Sequence, residues 1–267
     1  MSTLSTTNRS RQKVLGYPVD VVDETQALAV IEDAWKRNRG MHVVTLNAEM
    51  VVTAQQDAEL DRIIRHAHLI VPDGAGVVWA VKLAGQDIGR LPGIELAGGA
   101  LTRAAVGGIK VALLGGKPET MELLLDALPQ RFPGINIVVS QHGYFSIDEQ
   151  DDVIDKIADA EPQLLLVALG VPKQEYFIDK LSHTLPHTVK IGVGGSFDVW
   201  TGQVKRAPAL MRKLNLEWLY RLGKEPWRFN RIMSALPTFF FQVLQDAVMG
   251  SPSSKADENP PKDKRDN

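Results

Sequence analysis

The sequence predicts an α/β fold built on a parallel sheet, with a C-terminal helical appendage. Two patterns carry this expectation. Short β-branched or leucine-rich runs alternate with stretches of helical spacing, an order that calls for parallel strands joined by crossover helices. From Pro208 the strand-like runs cease and only helical spacing remains. The expected strands are 42–46, 68–71, 109–114, 135–139, 164–169 and 189–193, and the expected helices between or beside them are 25–37, 58–67, 119–131, 147–160 and 175–181. In the appendage Met211, Leu214, Leu216, Trp218, Leu219 and Leu222 are apolar, followed after Pro226 by Trp227, Phe229 and Ile232 interleaved with arginines. The resulting division is a flexible N-terminus (1–13), a core (14–207), a helical basic appendage (208–249) and a disordered tail (250–267) rich in proline and charge.

Composition bounds what such a chain can do. Its 267 residues carry 30 basic and 32 acidic side chains, net −2, with 44% hydrophobic and 6% aromatic residues, which is ordinary globular usage and excludes a mini-protein, a collagen or a wholly disordered chain. The absence of cysteine removes disulfides, cysteine-ligated metals and thiol nucleophiles together. The opening MSTLSTTNRSRQK has no apolar core, so neither a secretory signal nor an anchor is expected there. No stretch reaches the roughly 20 apolar residues of a spanning helix; the run 232–245 contains Pro237 and ends at Asp246. The near-neutral total hides an asymmetry, because 203–231 holds eight basic residues against Glu217 and Glu225. A patch of that kind suits an anionic partner: a phosphate, a nucleic acid or an acidic membrane leaflet.

In an open parallel sheet, ligands collect at the carboxyl ends of the strands, so the residues just after each run are the candidates for chemistry. Four ends stand out: Thr45 and Asn47; Asp73 in Pro72-Asp73-Gly74; Gly115-Gly116-Lys117-Pro118-Glu119; and Gly194-Gly195-Ser196-Phe197-Asp198. The paired glycines let backbone amides approach a phosphate, and equally make a tight strand-to-helix turn; neither segment matches a dinucleotide fingerprint or a Walker loop. The Asp73 carboxylate is placed to accept a proton from a substrate hydroxyl, or to serve as a turn or cap aspartate. Thr45 and Asn47, two apart on a strand, share a face and suit either a sugar or the cap of a helix starting near Ala48. The six histidines never adopt a zinc spacing, Asp-x-Asp is absent, and Ser196 lies outside any nucleophile elbow, so metal-independent chemistry without a cofactor is expected.

The order of motifs TLNAEM, VPDGAGVVWA, RLPGIEL, LGGKPE, HGYF, LGVPKQE, GVGGSFDVWTGQVKRAP and LEWLYRL…EPWRFNR resembles that of the WecG/TagA/CpsF glycosyltransferases, over about residues 16–231. The resemblance implies a Rossmann-like core and inverting, metal-independent transfer of a sugar, typically of N-acetylmannosamine type, from a UDP donor to a polyprenyl-diphosphate-linked sugar. It implies Asp73 as the general base, with Thr45 and Asn47 lining the pocket of the transferring sugar, and Arg90 and Gln174 contacting substrate. By the same analogy Gly115, Gly116, Gly194 and Gly195 back the nucleotide, with Phe197 and Asp198 near it. Departing UDP leaves negative charge that a cation must stabilise, and Arg221, Arg228 and Arg231 match the arginines of the family's closing C-terminal segment. Arg206 suits that role or a structural ion pair.

A lipid-linked acceptor accounts for a basic, aromatic-bearing segment before the apolar LPTFFFQVL run, and implies peripheral attachment to the inner face of the cell membrane from the cytoplasm. Core or subunit packing of Phe239, Phe240 and Phe241 is the rival reading. A homo-oligomer is compatible with the sequence. A UDP-glucose or UDP-uronic acid transferase of an exopolysaccharide pathway is the alternative within the family. An NAD-type oxidoreductase is disfavoured by the missing fingerprint, and a nucleic-acid-binding module by net acidity outside the basic segment.

Overall fold

The structure, a computed structural model, describes residues 9–213, 219–220 and 229–249. It opens with an antiparallel hairpin, β1 (Arg11–Val14) and β2 (Tyr17–Asp20), turned through Leu15 and Gly16 at positive φ. Residues 11–13, expected to be flexible, are therefore strand, with Arg11 and Gln12 buried. The reason is Asp20, which has no exposed surface; its carboxylate accepts from Arg11 Nε at 3.0 Å and from the Ile70 N–H at 2.8 Å, pinning the hairpin to the main sheet.

The chain continues through α1 (Glu24–Lys36), β3 (Met41–Leu46), α2 (Ala48–Ala54), α3 (Ala58–His66), β4 (Leu69–Pro72), α4 (Ala75–Leu83) and α5 (Gly93–Gly107). It then alternates regularly: β5 (Lys110–Gly115), α6 (Pro118–Arg131), β6 (Asn136–Gln141), α7 (Gln150–Asp159), β7 (Leu164–Ala168), α8 (Lys173–Thr184), β8 (Val189–Gly192) and α9 (Ser196–Trp200). Local chemistry sets the helix starts. Asp23 and Gln26 form a reciprocal capping box on α1, while Asn47 and Asp57 cap α2 and α3 through their side-chain oxygens.

Six strands make one parallel sheet in the order β4-β3-β8-β7-β5-β6. Alternation along each strand fills both faces. Val43, Leu69, Val111, Leu113 and Leu166 pack with residues of α1, α5 and α6, whereas Val44, Leu46 and Ile70 pack with α2, α3 and α4, and Leu114, Leu165 and Val167 with α7 and α8. The predicted parallel α/β core is thus realised as a three-layer sandwich. All six expected strands are present. The helices α4 and α5 lie where no helix was expected.

The last described elements are α10 (Ala209–Lys213) and α11 (Phe229–Met249). The latter continues through Pro237 and lies on α2 and α4, burying Ala235, Phe239 and Val243. Phe240 meets Trp79 edge-on with ring centroids 5.0 Å apart, while Phe241, Leu244 and Val248 face outward. Among the described residues no helix is long and apolar enough to cross a membrane.

Candidate active site

The sheet has one edge where its strands end, and the chain reverses its winding along that edge. From β3 it moves outward to β4, and from β5 it moves outward the opposite way to β6, with β8 and β7 filling the interval. This is the topological setting in which open α/β sheets bind ligands. Two clefts open there.

The smaller, of about 160 Å³, lies at the ends of β3, β4 and β8 and is lined by Thr45, Asn47, Asp73, Gln174 and Gly194 among others. Register brings these together: Leu46 pairs with Pro72, so Asn47 and Asp73 emerge side by side. Asp73 is held by its own N–H, which donates to Leu46 O at 2.9 Å, immediately before α4 begins. Asn47 Oδ1 accepts from the Met50 N–H at 2.9 Å, so its oxygen caps α2 while the residue also lines the cleft. Thr45 Oγ1 reaches Gly192 O at 3.4 Å across to β8. Gln174, almost fully buried, accepts the Gly194 N–H at 3.1 Å through Oε1. Glu49 shares the same wall, as do Pro92 and Gly93 at the start of α5.

The larger cleft, of about 930 Å³, opens at the ends of β5 and β7 and carries Gly116, Lys117, Tyr144, Lys173, Lys180 and Asp198 on its walls. Gly115 has φ 120°, and a Cβ there would meet Ala168 O at 2.4 Å, so the turn from β5 admits only glycine. Asp198 Oδ1 lies 3.2 Å from Thr120 Oγ1, which also lies 2.7 Å from Gln203 Oε1. The cleft therefore joins lysines and an aromatic ring to bare glycine backbone, a setting fit for a phosphorylated ligand with a planar base.

The family model for the glycosyl transferase WecG/TagA/CpsF family matches residues 12–252. The chain belongs to that family. Curated relatives agree. The chain is 38% identical over 210 residues to an N-acetylglucosaminyldiphosphoundecaprenol N-acetyl-beta-D-mannosaminyltransferase of Bacillus spizizenii, covering 78% of this chain and 80% of the relative. It is 36% identical over 244 residues to a Staphylococcus aureus protein of the same name, covering 89% of this chain and 94% of the relative. The chain is thus a glycosyltransferase on a Rossmann-like parallel sheet.

Of the residues singled out in the sequence, the structure gathers Asp73, Thr45, Asn47, Gln174, Gly194 and Gly195 in one cleft, and Gly116 with Asp198 in the other. Others lie outside both linings. Phe197 is 1% exposed and stacks with Trp200 in the core, because the residue after Ser196 falls on the inward face of α9; it sits behind Gly116, where a Cβ would lie 3.6 Å from its ring, and so backs the larger cleft without lining it. Arg90 lines a separate recess of about 290 Å³ beside Asp23 and Glu24, while the next residues of its motif, Pro92 and Gly93, reach the Asp73 cleft. Arg206 pairs with Glu95 at 2.5 Å, the structural alternative weighed for it. Arg221 and Arg228 lie outside the described residues, and Arg231 falls in the first turn of α11. Glu49, Lys117, Lys173 and Tyr144 line the clefts without having been given roles; the motifs TLNAEM, LGGKPE, LGVPKQE and HGYF contained them.

Proposed function

We propose that this glycosyltransferase moves an N-acetylmannosamine-type sugar from a UDP donor to a polyprenyl-diphosphate-linked N-acetylglucosamine, without a metal ion and with inversion at C1. The observation that carries the reading is the juxtaposition of a small cleft holding Asp73, Thr45, Asn47 and Gln174 with a larger lysine-bearing cleft along the same sheet edge. The donor sugar occupies the first and the nucleotide the second. The sugar and the acceptor are those named for the relatives.

In this mechanism the acceptor hydroxyl enters the small cleft, and Asp73 takes its proton as the oxygen attacks C1 of the sugar. The C1–O bond to the diphosphate breaks on the opposite face, and UDP leaves carrying the electron pair. Asn47 and Gln174 hold the sugar through their amides, and Thr45 packs the floor of the cleft. Gly115 and Gly116 lie along the nucleotide, and Gly194 and Gly195 border the sugar. Lys117 and Lys173 face the developing negative charge, a role the family resemblance also gives to Arg221, Arg228 and Arg231. The outward Phe241, Leu244 and Val248 of α11 rest on the inner face of the cell membrane, where the acceptor's lipid is held.

UDP release should be measured from UDP-N-acetylmannosamine, UDP-N-acetylmannosaminuronic acid, UDP-N-acetylglucosamine and UDP-glucose, with a short prenyl-diphosphate N-acetylglucosamine, in the presence and absence of EDTA. Acceptor-dependent turnover with the first donor that survives EDTA is expected. Turnover only with UDP-glucose or the uronic acid would replace the donor assignment, and loss of turnover in EDTA would contradict metal independence.

A further inference from the structure

Behind the Asp73 cleft runs a buried polar chain of which the mechanism above uses only the first member, Gln174. Gln174 and Glu175, in the first turn of α8, are 2% and 0% exposed. Gln174 Oε1 accepts the Gly194 N–H at 3.1 Å, and its Nε2 donates to Glu175 Oε1 at 2.9 Å. The second carboxylate oxygen, Oε2, lies 2.6 Å from Nε2 of His42 on β3, itself 5% exposed. The chain crosses β8 where that strand is bare: a Cβ on Gly192 would come within 2.3 Å of Gln174 Nε2 and 2.7 Å of Glu175 Oε1.

A primary amide has nearly the same shape either way round, so its neighbours decide which end faces which. Here one neighbour is a carboxylate and the other a backbone N–H. Turning the Gln174 amide over would set oxygen against oxygen at Glu175 and N–H against N–H at Gly194, breaking two buried hydrogen bonds at once. The amide nitrogen has two hydrogens and spends one on Glu175. The other is left for the cleft that Gln174 lines. His42 in turn supplies the carboxylate's second partner, without which Glu175 would be buried with one oxygen unsatisfied.

We propose that His42 and Glu175 are positioning residues for transfer: they fix the Gln174 amide so that it presents an N–H to an oxygen of the bound sugar or its diphosphate, and hold the Gly194 loop in register. The inference rests on the small cleft being the transfer site. It predicts that Glu175 acts only through Gln174.

The test is a double-mutant cycle on turnover, accompanied by thermal unfolding and by hydrogen exchange at the Gly194 amide. Glu175→Leu, which leaves no acceptor for the Gln174 amide, should lower kcat/KM on the order of 10- to 100-fold through misorientation, as should Gln174→Ala. The two together should be no worse than Gln174→Ala alone. Gly194 exchange should quicken in Glu175→Leu. His42→Leu should lose rate, and His42→Gln, which retains a donor near the same point, should recover most of it. Multiplying losses in the double variant, wild-type kcat/KM in Glu175→Leu, or His42→Gln no better than His42→Leu would overturn the proposal. If Glu175→Leu does not fold, the His42 pair decides alone. Absence of turnover in the wild-type chain would count against the proposed reaction instead, and unchanged Gly194 exchange in the variants would then sink the positioning role.

Discussion

Asn47 performs two tasks with one side chain, and substitutions can separate them. Its oxygen caps α2 by accepting the Met50 N–H, which leaves its amide nitrogen for the cleft. Asn47→Asp should keep the cap and the unfolding temperature yet lower transfer, because a carboxylate has no hydrogen to offer a sugar oxygen. Asn47→Ala should lose about 1 kcal/mol of stability as well. An unchanged rate in Asn47→Asp would show that only the cap matters. At this scale the sequence was partly legible. Asp73, Thr45 and Asn47 could be found because they follow apolar runs, and a carboxyl-end position is readable from the order of residues alone. Phe197 and Arg90 lie off the walls of the two clefts for a physical reason: which way a side chain leaves a short helix or an irregular loop depends on tertiary packing that no local pattern encodes. His42 and Glu175 were silent, since a buried polar residue inside a strand or helix looks like any other polar residue until its partners are in place.

At the scale of elements, strongly patterned segments declared themselves and two helices did not. The six expected strands are present because fully buried parallel strands read as continuous apolar runs. The helix α4 is apolar on nearly every face, with Val77, Val78, Ala80 and Val81 all buried, so it offers no polar side to reveal the helical period. In α5, several glycines lower helix propensity, yet packing overrides it: a Cβ on Gly99 would meet Leu28 of α1 at 2.6 Å. The C-terminal helix divides its phenylalanines between packing and exposure. Phe239 is wholly buried against α2 and α4, and Phe241 is 69% exposed. Phe239→Ala should therefore cost about 3–5 kcal/mol in denaturant unfolding. Phe241→Ser should change stability by no more than about 0.5 kcal/mol while weakening sedimentation with anionic lipid vesicles. Equal vesicle binding by the Phe241 variant and the unaltered chain would remove α11 from the proposed membrane surface.

For the molecule as a whole, Lys190 and Tyr176 act on alkaline stability in opposite senses, and Tyr17, whose pKa is raised by burial and by its bond to Asp61, acts in the same sense as Tyr176. Burial of Lys190 on β8, where its Nζ donates to Leu185 O and Thr188 O, lowers its pKa from 10.5 to about 8. The unfolded chain therefore binds that proton more tightly, so this group's penalty is complete below about pH 8 and is relieved as pH rises toward 10.5. Tyr176 works the other way: burial and its bond to Asp57 raise its pKa to about 12, so its contribution, present below 10, is lost as pH climbs from 10 to 12. Denaturant midpoints should rise between about pH 8 and 10 and fall beyond, and Lys190→Met should flatten the rising limb. A rising limb that survives this substitution would assign it to another group.

The winding reversal between β3 and β5 sets the smaller cleft beside the larger lysine-bearing one, and the account of function stands on Asp73 working in the first while UDP binds in the second. The most direct test is Asp73→Asn, assayed for acceptor-dependent sugar transfer alongside calorimetric UDP binding and thermal unfolding. Transfer should fall on the order of 10²- to 10⁴-fold, the range a general base contributes, with UDP affinity and unfolding temperature unchanged. Transfer within a few-fold of the unaltered chain would contradict the assignment of Asp73 as the base.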